Sequence, residues 1–378
     1  MSFFAKISCV AHIRLLQLNH VVLEGENMIY RYLLLFLAAC AGGYFFSLIH
    51  LPLPWTLGPM VTVVIIKNGF GRAVAWPPAI RNVAMVVLGY VMGGSFTPET
   101  GQHVLLQLPV ITVMTMMTVG LCLLGGYISH RFTDADLATS LMGSMPGGLT
   151  QMAMICEDIK TADAGTVIMM QTIRMITVVF VVPFLVLHGL ANQVSNSVKA
   201  ATAFDVGDLP ALLLFAGVIF IVLYIYKKMK LPSAALLAPI LGTAGLTLSG
   251  VHAPPLPSAV IAIAQICVGI RMGIPIRMDT LMNNKRVLFY SFLSILMVIA
   301  LLLVFDYLLA GLTGIDVVSA VISTAPGGIT EMGLTAMMVH ADLSTVIAFQ
   351  LFRLMFVLII AIPALRWWVG RSRNLLSN

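Results

Sequence analysis

The chain has 378 residues, 60% of them hydrophobic and 10% charged, with a formal net charge of +6. Soluble domains carry about 25% charged residues, so the composition excludes an ordinary soluble protein and indicates a polytopic membrane protein. The basic residues sit in short loops between apolar runs, the distribution expected beside a membrane rather than on nucleic acid.

Residues 1–27 are mixed in character and end in Glu24-Gly25-Glu26-Asn27. No apolar core followed by a small-residue cleavage site occurs there, so they read as an N-terminal extension rather than a secretory signal. The first membrane unit, 28–190, carries predicted spans at about 29–49, 52–67, 79–96, 104–128 and 163–189. A polar linker, 191–207, contains Asn192, Ser195, Asn196 and Asp205. The second unit, 208–370, carries predicted spans at about 209–227, 232–249, 258–275, 287–311 and 343–366, ahead of a tail at 371–378.

Each unit also holds an apolar segment broken by Pro-Gly-Gly, at about 136–156 and 316–338. Ser144-Met145-Pro146-Gly147-Gly148-Leu149-Thr150 is matched 180 positions later by Thr324-Ala325-Pro326-Gly327-Gly328-Ile329-Thr330. Gln171 and Arg174 follow the first break, and Gln350 and Arg353 follow the second. Proline removes a donor and clashes inside a helix, and the glycines weaken it further. A broken helix is tolerated in a membrane only inside protein or against a cavity. Other pairs keep the offset of 180: Leu51-Pro52 with Leu231-Pro232, Gly89 with Gly269, Gly93 with Gly273, Asp136 with Asp316.

The expected fold is therefore all-α and polytopic, with two repeats of about five transmembrane helices plus one re-entrant broken helix. With both termini cytoplasmic and both breaks re-entrant, nearly all basic residues fall on the inner side, including Lys67, Arg72, Arg81, Arg131, Lys227 and Lys228. Five crossings per unit invert the second repeat relative to the first. The competing reading is a twelve-span parallel repeat in which both broken segments cross fully and no cavity is needed. Inverted repeats with discontinuous helices point to a secondary transporter with a midplane site.

The candidate binding residues are Pro146, Gly147, Gly148, Thr150, Gln171 and Arg174 in the first unit. In the second they are Pro326, Gly327, Gly328, Thr330, Glu331, Gln350 and Arg353. The half-helix after each break offers free N–H groups at the positive end of its dipole, with Thr150 or Thr330 as cap, and the arginines add charge suited to a carboxylate. Plainer readings compete. The arginines pair with Glu331 or cap the C-terminal carbonyls of the broken helices, and the glycines serve close packing. Asp136 and Asp316 read as N-caps, and Trp55, Trp76, Trp367 and Trp368 as interfacial anchors. The five cysteines form no CxxC pair, and the eight histidines lack helical ligand spacing, so no metal or other cofactor is expected.

The Leu-Pro sequence, the Pro-Gly-Gly segment and the Gln-x-x-Arg helix together resemble the AbrB family of bacterial inner-membrane proteins. The resemblance covers about residues 28–370. It implies a membrane duplication and an inner-membrane location. Labels attached to the family are ammonia monooxygenase and regulator of gene expression. Met145 and Ala325 stand before the prolines, where relatives often carry serine. The expected function is a non-enzymatic transporter or exporter of a small anionic or zwitterionic solute. A membrane regulator or sensor is the alternative, and an enzyme comes third. The expected partners are the lipid bilayer and the solute, with no nucleic acid, and homo-oligomerisation is left open.

Overall fold

The computed structural model describes residues 30–70, 74–147, 152, 156, 162–190, 206–229, 231, 233–365 and 367, and holds no strand among them. The first unit contains α1 (Tyr30–Leu48), α2 (Pro54–Gly69), α3 (Pro78–Gly93), α4 (Pro98–Leu106), α5 (Leu108–Phe132), α6 (Leu137–Ser144) and α7 (Ala164–Gly189). The second contains α8 (Leu209–Lys228), α9 (Ala234–Leu248), α10 (Ser258–Gly273), α11 (Met278–Asn283), α12 (Lys285–Thr313), α13 (Val317–Thr324), α14 (Ile329–Met338) and α15 (Leu343–Leu365). Six of these, α1, α5, α7, α8, α12 and α15, are long and apolar enough to cross a membrane. The chain is a multi-pass helical membrane protein.

The short helices α2, α3, α9 and α10 form the crossing at the centre. They are 15 or 16 residues long, hence only about 24 Å. Glycine lets their backbones touch. A Cβ at Gly93 would lie 2.6 Å from the Ile240 carbonyl oxygen and 2.7 Å from Thr243 Cβ, and one at Gly89 would lie 2.8 Å from the Leu236 oxygen. The reciprocal pair repeats this: a Cβ at Gly273 would meet the Met60 oxygen at 2.6 Å and Val63 Cβ at 2.9 Å, while Gly269 abuts Thr56. Exchanging each residue for its counterpart 180 positions away turns each contact into the other, so the crossing has local two-fold character. One turn along α3 is one turn along α9, so these two helices run parallel, as do α10 and α2. Leu53 and Ser233, also 180 apart, both take left-handed φ, 48° and 55°.

The predicted span at 104–128 needs correction at its start. α3 ends at Gly93 and the chain turns by 85° into α4. Thr97 caps α4 through Thr100, with Pro98 in the first turn, which starts a new helix rather than extending the old one. No residue of α4 is buried. Trp76 also departs from its expected interfacial place. It is 8% exposed, in the main core, with the Tyr32 ring edge-on at 6.2 Å.

Both broken segments return to the side from which they entered. The Asp163 N–H, at the start of α7, donates to Thr139 Oγ1 near the start of α6, at 3.0 Å. The Asp342 N–H, at the start of α15, donates to Ser319 Oγ near the start of α13, at 2.9 Å. Eight residues of α6 or α13 rise about 12 Å. That rise is less than half of a hydrocarbon core about 30 Å thick, so neither helix alone is long enough to cross.

Candidate functional site at two helix breaks

The C-terminus of a helix leaves its last carbonyls without partners, and inside a membrane water cannot satisfy them. Here the Gln-x-x-Arg of the following helix supplies the donors. In the first unit Gln171 Nε2 donates to the carbonyls of Met142 at 2.9 Å and Met145 at 3.0 Å. Arg174 donates to the Met145 carbonyl, and through Nη2 to that of Gly147 at 2.9 Å. In the second, Gln350 Nε2 reaches the carbonyls of Ile322 at 3.1 Å, Ser323 at 3.2 Å and Ala325 at 3.3 Å. Arg353 Nη1 donates to Ala325 at 2.5 Å and Thr324 at 3.3 Å, and Nη2 to Gly327 at 2.6 Å and to Gln350 Oε1. A cation at the negative end of a helix dipole adds to these bonds. The arginines therefore take the carbonyl-capping geometry, and Arg353 makes no ion pair with Glu331 among the described residues.

Gly148 and Thr150 lie outside the described residues. Gly147 packs against Met152, and Gly327 against Met332 and Val178. Thr330 is not the cap of α14. That position belongs to Gly328, which has no side chain, and the Thr330 hydroxyl faces Met85 Sδ at 3.8 Å. Glu331 occupies the first turn of α14 with its carboxylate against Gly328, where a free anion would otherwise sit. Arg81 and Arg174 are in electrostatic range of Glu331, and Arg81 is in range of Arg271. Asp316 caps α13 through the Ser319 N–H at 3.2 Å, whereas Asp136 makes no such bond to α6. Asp163 and Asp342, not singled out by the pattern, cap α7 and α15. The Thr166 hydroxyl bonded to Asp163 holds that carboxyl below the usual carboxylate range.

Two charged residues were missed by the sequence reading. Arg271 lies in the last turn of α10 and Asp306 in the apolar α12, where it is 1% exposed. A charge within an apolar span was the available signal for both. Asp306 accepts from the Thr324 hydroxyl at 2.8 and 2.9 Å. Its counterpart position is Gly126, where a Cβ would lie 2.7 Å from Ser144 Oγ. The first break also borders a cavity of about 20 Å³, lined by Ser144, Arg174, Ser291, Ser294 and Cys122 among others. That suffices for one water. Arg174 Nε and Ser291 Oγ, of two lining residues, are buried without a hydrogen-bond partner among the described residues, as is Gln171 Oε1.

Residues 55–369 match the AbrB family, whose description is "Transition state regulatory protein AbrB". The chain is 26% identical over 355 residues to the "Uncharacterized protein YhjN" of Bacillus subtilis (strain 168), covering 87% of this chain and 90% of that one. It is also 26% identical over 319 residues to the "Putative regulator AbrB" of Escherichia coli (strain K12), covering 83% and 89%. With the family match spanning most of its length, this membrane chain belongs to the AbrB family.

Proposed function

We propose that the protein is a secondary transporter or exporter of a small anionic or zwitterionic organic solute in a bacterial inner membrane, without enzymatic activity. The observation that carries this reading is the pair of helix breaks, each closed at its base by one hydrogen bond and capped by its own Gln-x-x-Arg, which we read as re-entrant hairpins reaching toward the membrane's middle. Backbone breaks inside a membrane are tolerated only within protein or against a cavity, and a cavity is what a transporter needs. The helix directions support inverted repeats. Arg81, in the first turn of α3, is in electrostatic range of Arg271, in the last turn of α10, the helix that repeats α3. A helix and its repeat that start at opposite ends run oppositely, the arrangement of many transporters.

The proposed solute surface runs from Pro146, Gly147, Gly148, Thr150, Gln171 and Arg174 to Pro326, Gly327, Gly328, Thr330, Glu331, Gln350 and Arg353. Arg81 and Arg271 add charge beside Glu331. A solute carboxylate is drawn to the two arginines and a solute amine to Glu331, which favours a zwitterion or an organic anion.

A membrane sensor that binds the same solute is the second reading, favoured by the name of the Escherichia coli relative. Purified protein in liposomes, given a panel of labelled carboxylates and amino acids, separates the two. Saturable counterflow of one compound is expected. Binding without counterflow would favour the sensor, and neither would sink both.

A further inference from the structure

Asp306 stands outside the proposed solute surface and breaks the symmetry of the repeat. Its carboxylate lies inside a 29-residue apolar helix and is 1% exposed. Flanking Phe305 and Leu309 pack into an apolar cluster with Ile111, Met114, Ala320 and Phe349. The titratable and charged groups of the helices packed against α12 are Cys122, Tyr127, His130 and Arg131 on α5, Arg174 and His188 on α7, and Asp279 on α11. α13 carries none. None of these groups bonds Asp306 among the described residues. Its single partner among the described residues is the Thr324 hydroxyl, one hydrogen shared between two oxygens at 2.8 and 2.9 Å. An isolated carboxylate in such surroundings is costly unless it is neutralised or paired. Thr324 is moreover the last residue of α13, at the negative end of its dipole, and so offers no compensating positive charge.

We propose that Asp306 and Thr324 form a proton-binding site that couples protonation to the position of the second helix break. A proton from water binds one carboxylate oxygen, forming a carboxyl O–H that donates to Thr324 Oγ1. The Thr324 hydroxyl then turns toward the Val321 carbonyl, 3.5 Å away. Loss of the proton returns the Thr324 hydrogen to the carboxylate and leaves a negative charge facing the end of α13. That charge favours withdrawal of α13 from α12. The Thr324 carbonyl accepts from Arg353, so the movement passes directly to the residues that hold the break. Gly126 and Ser144 occupy the same places in the first unit, where the Ser144 hydroxyl donates to the Ser140 carbonyl instead, so only the second break carries the switch. A role in coupled transport rests on the transporter reading, whereas proton binding itself does not.

The test uses the purified full chain in lipid nanodiscs and infrared difference spectra between acidic and alkaline buffers. A carboxylic acid carbonyl band that appears with acid, disappears in Asp306→Asn and changes frequency in Thr324→Val supports the site. Thr324→Ser, which keeps the hydroxyl, leaves the band in place, and Glu331→Gln, which removes the other intramembrane carboxyl, leaves it unchanged. The same titrating bands in wild type and Asp306→Asn would overturn the proposal, as would a band indifferent to Thr324→Val. If Asp306→Asn does not fold, the frequency change between Thr324→Ser and Thr324→Val decides alone. A negative spectrum removes the proton site and leaves the transporter reading standing. A liposome panel without counterflow removes the transporter reading and leaves the band.

Discussion

The two helix breaks share one backbone design and differ in everything around it. Both are held by a glutamine and an arginine one turn apart, donating to carbonyls at matching positions. At the second break Gln350 Oε1 accepts from Arg353, and the space beyond is filled by Asp306, Ile111, Met114 and Phe349. At the first, the equivalents of Ile111 and Met114 are Ser291 and Ser294, Asp306 is replaced by Gly126, and a cavity of about 20 Å³ remains, lined by two residues, Arg174 and Ser291, that each carry a polar atom unpartnered among the described residues. The difference teaches that a sequence motif fixes how the carbonyls are capped, while neighbouring helices fix how tightly the cap is locked. The second break is tightly packed and the first has room to move.

The largest expected effect separates the two arginines. Arg353→Gln leaves the Thr324 and Gly327 carbonyls without a donor in a packed site, while Ala325 keeps Gln350 and the Gly327 N–H. At about 1–3 kcal/mol per buried orphan, the loss should exceed roughly 2 kcal/mol. Arg174→Gln strips only the Gly147 carbonyl, beside a cavity that admits a water, while Met145 keeps Gln171 and the Gly147 N–H, so it should cost less. Denaturation of the detergent-purified variants measures both. Equal losses would break the comparison and make the two sites energetically alike.

Next comes the crossing, which is symmetric where the breaks are not. Gly93→Ala and Gly273→Ala each push a Cβ to 2.6 Å from a carbonyl oxygen of the facing helix. Overpacking of this kind costs about 1–3 kcal/mol. The two variants should lose stability to the same extent in the same melting assay, and a marked inequality would show that the two-fold character is superficial. A smaller effect of opposite sign is expected at the cavity. Ser291→Val removes an unpartnered hydroxyl and fills space, gaining about 0.5 kcal/mol for 20 Å³. A destabilised Ser291→Val would mean that an ordered water holds the serine.

The helical membrane class, six of the ten predicted spans and the helix breaks were legible in the sequence because each leaves a local mark. Hydropathy marks the spans, Pro-Gly-Gly the breaks, and the constant offset the repeat. The role of Arg174 and Arg353 was only one of several readings, because their acceptors lie 26 to 29 positions away and meet them only once the hairpin folds back. Asp306 was overlooked within a predicted span at 287–311, where one carboxylate barely alters the hydropathy of its window. The bend after Gly93 was missed because Thr97-Pro98 lies in a stretch read as a loop, although its capping box was visible. Trp76 misled because a tryptophan near a span end reads as an anchor, whereas burial depends on which helix covers it.

The last expected effect concerns the helix starts behind the hairpins, where the two units agree again. Asp163 accepts from the Gly165 and Thr166 N–H groups, and Asp342 from those of Ser344 and Thr345. Removing a cap of this type costs about 1 kcal/mol. Asp163→Ala and Asp342→Ala should each cost that amount in melting at neutral pH. Asp163 carries a pH signature as well. The Thr166 hydroxyl lowers its folded value below the unfolded one, about 3.9, so its contribution is present above that value and is lost as pH falls through the folded one. The gap between wild type and Asp163→Ala should therefore be constant from neutral pH down to about 4 and narrow below it. A gap that persists undiminished to pH about 2 would show that the cap does not depend on the carboxylate charge. The hairpin base would then be held by the bond from the Asp163 N–H to Thr139 rather than by the cap.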